Sequence, residues 1–176
     1  MTSADQFRIL ALAGSAVFTA TLWIVFRPRR EILKATLIPA GLFATLDLLI
    51  EWATYNLGIW VCIGSWQILH VPIIMTVQFV VLGVGLCLVV AESIKRLDIR
   101  FFRLFIILFP TCLGIILWLL EYAWRDMGIT VYLEPYTGVV VLGAWQALLW
   151  TLVTTFLARL RRDAEKTTDT PSRRTD

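Results

Sequence analysis

Apolar residues fill five stretches of the chain, 9–26, 33–53, 68–91, 101–123 and 137–158, and charged residues gather between them. Each stretch is about 20 residues long, enough to cross roughly 30 Å of hydrocarbon at a helical rise of about 1.5 Å per residue. The pattern predicts an all-α integral membrane protein, a five-transmembrane-helix bundle forming one domain over residues 1–162. The first stretch follows Asp5 and Arg8 and lacks a small-residue cleavage site, so it reads as a first helix rather than a signal peptide. Residues 163–176 are polar with little to bury and read as a disordered tail.

Composition agrees with the pattern. Of 176 residues, 59% are hydrophobic and 16% charged, with a mean hydropathy of +0.77. A water-soluble domain of that composition would expose large apolar patches. The net charge of +3 comes from basic residues at the ends of the apolar stretches, which leaves no separate basic surface for nucleic acid. Their distribution predicts an orientation instead. With the loops after the first, third and fifth helices in the cytoplasm, 14 of the 16 Lys and Arg residues lie there, and only Arg8 and Arg125 lie outside. The expected location is a cell (inner) membrane, amino terminus outside and carboxyl terminus in the cytoplasm.

A second pattern lies on top of the first. Leu49-Ile50-Glu51-Trp52-Ala53, followed by Gly58, Ile59 and Val61, returns 70 residues later as Leu119-Leu120-Glu121-Tyr122-Ala123, followed by Gly128, Ile129 and Val131. Arg30 and Arg100 share the offset. The match predicts an internal duplication, with one leading helix and two parallel-repeat helical hairpins. Gly64-Ser65-Trp66-Gln67 and Gly143-Ala144-Trp145-Gln146 echo each other at a longer spacing of 79, a looser correspondence.

Candidate chemistry concentrates on three acids. Asp47 and Glu51 are four residues apart, one turn along a single helix face, and Glu121 holds the equivalent place on the fourth helix. The topology sets both glutamates near the outer ends of their helices and Asp47 about 6 Å deeper. Acids in membrane helices usually face the bundle interior or water, where a carboxylic acid can donate protons. The plainer alternative has Glu51 and Glu121 as snorkelling helix ends, with Arg125 one turn beyond Glu121 as its partner. Asp47 is too short to snorkel from its depth. His70 and Gln78, about 12 Å apart in rise on roughly one face of the third helix, could bond an acid or merely join helices.

The chain has eight tryptophans. Trp52, Trp60, Trp66, Trp118 and Trp124 gather at the outer boundary, where an aromatic belt is expected, and some could instead line a pocket that stabilises a cation. Cys62, Cys87 and Cys112 lack ligand or disulfide spacing and read as packing residues; with His70 the only histidine, no metal site and no cofactor are expected. Neither a glycine-rich phosphate loop nor a Gly-x-Ser-x-Gly nucleophile motif occurs.

From Arg30 to Phe79 the order of features resembles the small membrane domain of the lycopene cyclases of carotenoid biosynthesis. A basic start and Pro39 lead to Asp47, then Asn56-Leu57-Gly58-Ile59-Trp60, then His70-Val71-Pro72-Ile73. Where that family places a Glu-Glu pair after the proline, this chain has Ile74 and Met75, so the family's acids are missing at that point. The whole chain is also similar to uncharacterised five-helix bacterial membrane proteins, a likeness that implies architecture and no activity.

The first resemblance implies an isoprenoid or other membrane lipid ligand and proton-initiated cyclisation or isomerisation. Asp47, Glu51 and Glu121 would be the acids, and His70, Gln78, Trp52, Trp60 and Trp118 would line the ligand. The alternatives are a non-enzymatic membrane subunit, acting as a homo- or hetero-oligomer, and a small proton-coupled transporter.

Overall fold

Helix α1 (Ser3–Phe26) turns its polar residues inward and its apolar ones outward, the reverse of a helix on a soluble protein. Asp5, Arg8, Ser15 and Thr19 are buried, whereas Leu10, Val17, Ile24 and Val25 are exposed. That inversion suits lipid as the surrounding solvent. The structure is a computed structural model that describes residues 2–133 and 137–168. Among these, four more long helices follow: α2 (Arg30–Asn56), α3 (Ile73–Arg96), α4 (Ile99–Asp126) and α5 (Thr137–Thr168). All five are long and apolar enough to cross a membrane.

The core lies where α2, α3 and α5 meet. Phe43 of α2 stands edge-on to Phe79 of α3 at 5.6 Å, and Phe79 lies 5.1 Å from Trp145 of α5. Around this centre α1 packs on α3, and α4 packs on α5. Close crossings depend on small residues, as expected where helix association relies on backbone approach. A Cβ added to Gly83 would sit 3.1 Å from the Ala40 Cα of α2, and one added to Gly85 would sit 2.6 Å from Thr19 Oγ1 of α1. Gly83→Val is therefore expected to cost about 1–3 kcal/mol through overpacking against α2 backbone. Gly143→Ala, which meets open space, should be nearly neutral. Thermal unfolding of the two variants in detergent micelles checks the contrast.

Four short strands accompany the helices: β1 (Trp60–Cys62), β2 (Gln67–Ile68), β3 (Val71–Pro72) and β4 (Thr130–Tyr132). Strands β2 and β3 form a small hairpin, with Gln67 opposite Pro72 and Ile68 opposite Val71. The third helix therefore starts at Ile73 rather than near residue 68, and His70 lies in the hairpin turn, off the helix, at a left-handed φ of 65°. The fifth helix also differs from expectation, because it runs on to Thr168 and makes residues 163–168 helical. Arg159 with Asp163 and Arg161 with Glu165, each four residues apart, support those turns. Residues 169–176 of the expected tail lie outside the described residues.

Strand β1 pairs antiparallel with β4 at the far ends of α2 and α4, Trp60 opposite Tyr132, Val61 opposite Val131 and Cys62 opposite Thr130. The ladder is extended on one side by Leu133 N–H to Ile59 C=O (2.8 Å) and on the other by Ile63 N–H to Ile129 C=O (2.9 Å). Exchanging each residue with the one 70 positions away maps this ladder onto itself. The helix ends obey the same exchange. Leu57, Gly58 and Ile59 donate to Ala53, Tyr55 and Thr54; Met127, Gly128 and Ile129 donate to Ala123, Arg125 and Trp124. Gly58 and Gly128 take left-handed φ values of 66° and 67°, which glycine adopts at no steric cost.

Candidate functional site: a buried carboxyl cluster

The β1–β4 ladder determines what reaches the acids. Alternate strand residues share a face, so Trp60 and Cys62 point together, and on the partner strand so do Thr130 and Tyr132. Glu51 Oε2 accepts from Trp60 Nε1 at 2.6 Å and from Cys62 Sγ at 3.0 Å. Glu121 Oε2 accepts from the Tyr132 hydroxyl at 3.2 Å, and the buried Thr130 side chain faces the same carboxyl group. Each glutamate is thus served by the residues 9 and 11 positions after it. The result is two half-sites that meet across one pair of strands.

Asp47 completes the cluster differently. It is 2% exposed, against 9% for Glu51 and 7% for Glu121, and it forms no hydrogen bond among the described residues. Its Oδ2 is fully enclosed. Asp47, Glu51, Trp60, Glu121, Trp145 and Leu148 line a cavity of about 10 Å³, room for one water. A second cavity of the same size is lined by Arg8, Cys62, Met75, Gln78, Glu121 and Thr130. Glu121 borders both.

Arg8 brings the cation. Its Nε donates to Ile63 C=O at 3.2 Å, one terminal nitrogen approaches Met75 Sδ at 3.1 Å, and the other donates to Ile129 C=O at 3.4 Å. Ile63 and Ile129 are joined to each other by the ladder, so the planar fork of the guanidinium clasps both strands. Arg8 lines the second cavity together with Glu121, and among the described residues it forms no ion pair with any of the three carboxyl groups. Asp5, one turn earlier, holds α1 in place by accepting from the Ser65 N–H and hydroxyl, both at 2.7 Å, and it closes a capping box with Thr2.

Of the residues expected at the site, Asp47, Glu51, Glu121 and Trp60 come together, and Gln78 lines the adjoining cavity. Trp118 is half-buried and stands edge-on to Tyr122 at 5.5 Å, with no place in either cavity wall. Trp52 is exposed, and His70 is exposed and stacked on Tyr55 at 4.0 Å. Arg125 lies 5.8 Å over the Tyr132 ring, and Glu121 bonds the hydroxyl of that same tyrosine. Arg8, Cys62, Thr130 and Tyr132 belong to the site and went unrecognised in the sequence. The offset of 70 carried a signal for three of them, since it pairs Trp60 with Thr130 and Cys62 with Tyr132.

Burial and the adjacent Glu51 push the Cys62 thiol well above its ordinary range, and burial and Glu121 do the same to the Tyr132 hydroxyl. The reactive form of a cysteine is the thiolate, so a raised value means less of it. Cys62 should therefore resist iodoacetamide at pH 8 in the folded protein, with Cys87 and Cys112 replaced by alanine, and react once the protein is unfolded in detergent. Rapid labelling of the folded protein would contradict the enclosed placement.

Comparison of the chain with protein-family models, with curated proteins and with solved structures gives no match.

Proposed function

We propose that the cluster is a proton-holding centre that protonates an apolar isoprenoid-type lipid and so isomerises or cyclises it. The supporting observation is Asp47, a buried carboxyl group without a hydrogen bond among the described residues, sharing a small cavity with two further acids. A buried ionised carboxylate requires a partner, and here one buried guanidinium accompanies three buried carboxyl groups. Bound protons supply the remaining neutralisation. Such a group is suited to general acid chemistry away from water.

In the proposed step the helices around the cavity part to admit the lipid, and the Asp47 carboxyl proton adds to one of its alkene carbons, leaving Asp47 ionised and a carbocation on the adjacent carbon. Ring closure or migration follows, and a neighbouring C–H proton returns to a cluster carboxylate. The product is an isomer, with no redox change. Trp60 and Trp145, which line the same cavity, would stabilise the cation by their ring quadrupoles. Co-expression in a lycopene-producing host with pigment analysis tests the substrate class; new cyclic or isomerised pigments are expected, and an unchanged profile would overturn the isoprenoid assignment.

A second reading draws on the size of the cavity, which at about 10 Å³ holds a water and not a lipid chain. In that reading the cluster is a structural or proton-relaying element of a non-enzymatic membrane subunit. Asp47→Asn separates the two: lost assembly with a partner, without loss of any turnover, favours the subunit.

The site also supports a duplicated origin, with α2–β1–α3 and α4–β4–α5 as copies of one unit. The 70-residue exchange that relates the helix ends, the ladder and the two glutamates is the reason. We place the cluster in the outer half of the membrane, because the end of the bundle opposite the strands carries the basic loops 27–34 and 95–103.

A further inference from the structure

At the basic end of the bundle, remote from the carboxyl cluster, α2 and α5 leave a groove of about 360 Å³ lined by Ile38, Thr154, Thr155, Ala158, Arg159 and Arg162. Its character changes along its length. Ile38, two turns inside α2, and Ala158 offer apolar walls, while Arg159 and Arg162 stand toward the end where the basic loops emerge.

Three donors in this groove have no hydrogen bond among the described residues. Thr151 and Thr154 direct their hydroxyls to carbonyls of their own helix, at 2.7 Å in each case, whereas Thr155 makes no such bond. Arg159 Nε is buried and unbonded, with Asp163 Oδ2 at 3.7 Å, and Arg162 has no acid partner among the described residues. Arg161, by contrast, does not line the groove and is paired with Glu165 at 2.8 Å. A hydroxyl and two guanidinium groups, spaced four and three residues apart and so on one helix face, match the oxygens of a phosphate. The apolar side chains of Ile38 and Ala158 beside that point match the acyl chain attached to it.

We infer that the α2–α5 groove binds an anionic phospholipid, with Thr155, Arg159 and Arg162 on the phosphate and Ile38 and Ala158 against the chain. The assignment is independent of any chemistry at the carboxyl cluster. Interhelical basic pockets of this kind read head groups by charge and hydrogen bonding, beyond the general attraction of a basic loop to an acidic surface.

Spin-labelled phosphatidylglycerol and phosphatidylcholine, added to the full chain in phosphatidylcholine vesicles, test it. The motionally restricted fraction should favour phosphatidylglycerol in the wild type. Arg162→Gln and Thr155→Val should each weaken that preference, and the double variant should reduce it about tenfold. Arg161→Gln, which removes the same charge outside the groove, should leave it nearly intact. Equal restriction of the two lipids in the wild type, or an equal loss in Arg161→Gln and Arg162→Gln, would overturn the assignment.

Discussion

Arg8→Leu is expected to destabilise the bundle by about 3–5 kcal/mol, the cost of removing one side of a buried charged arrangement. The loss has two parts. The carbonyls of Ile63 and Ile129 lose a donor, and three buried carboxyl groups lose the cation buried alongside them. Arg8→Lys keeps the charge but replaces a planar fork with a point donor that cannot clasp both strands, so its cost should be intermediate. Arg8→Leu combined with Glu121→Gln should recover part of the loss, since the second change removes an acid the cation had served. Thermal and denaturant unfolding in micelles, arranged as a double-mutant cycle, measures the coupling. Strict additivity of the two changes would show that Arg8 acts only as a clasp for the strands.

Asp47→Asn should act on chemistry and spare the fold. The amide nearly matches the carboxyl in size, and Asp47 supplies no hydrogen bond whose loss would weaken packing, so stability should change by about 1 kcal/mol or less. Under the acid role proposed for Asp47, proton-dependent turnover should fall by about 10²–10⁴-fold, the usual contribution of a positioned acid. Glu51→Gln makes a useful contrast. It preserves an oxygen for Trp60 Nε1 and the Cys62 thiol, and should retain more function than Asp47→Asn.

The five spans are legible in the chain because lipid permits long, uninterrupted apolar runs and charge collects only where they end. The limits of that signal are equally physical. Hydropathy does not distinguish a helix start from a short apolar hairpin, so Val71 and Pro72 read as helix although they form β3. At the other end, Asp163 and Glu165 look like the start of a polar tail, yet their spacing from Arg159 and Arg161 carries the helix onward.

The acids of the site are legible for a related reason, since a carboxyl group in an apolar run is conspicuous. Their partners are not. Cys62, Thr130 and Tyr132 are ordinary loop residues until β1 pairs with β4 over a separation of 70 residues, a contact that no local pattern specifies. Arg8 is visible as the lone basic residue in its part of the chain, but it reads as a flank of the first span, because its inward direction depends on how α1 packs against α3. His70 and Trp52 went the other way. Residue type and approximate depth placed them near the acids, while the hairpin turn and the outer face of α2 carry them away from the cavity.

The proton-holding assignment at Asp47, Glu51 and Glu121 is tested most directly by infrared difference spectroscopy of the protein in lipid vesicles near neutral pH, read in the carbonyl-stretch region of protonated carboxylic acids. A band from enclosed carboxylic acid is predicted in the wild type, exchanging slowly in deuterated water and diminished in Asp47→Asn. Absence of any protonated carboxyl band at neutral pH, or a band unaltered by Asp47→Asn, would contradict it.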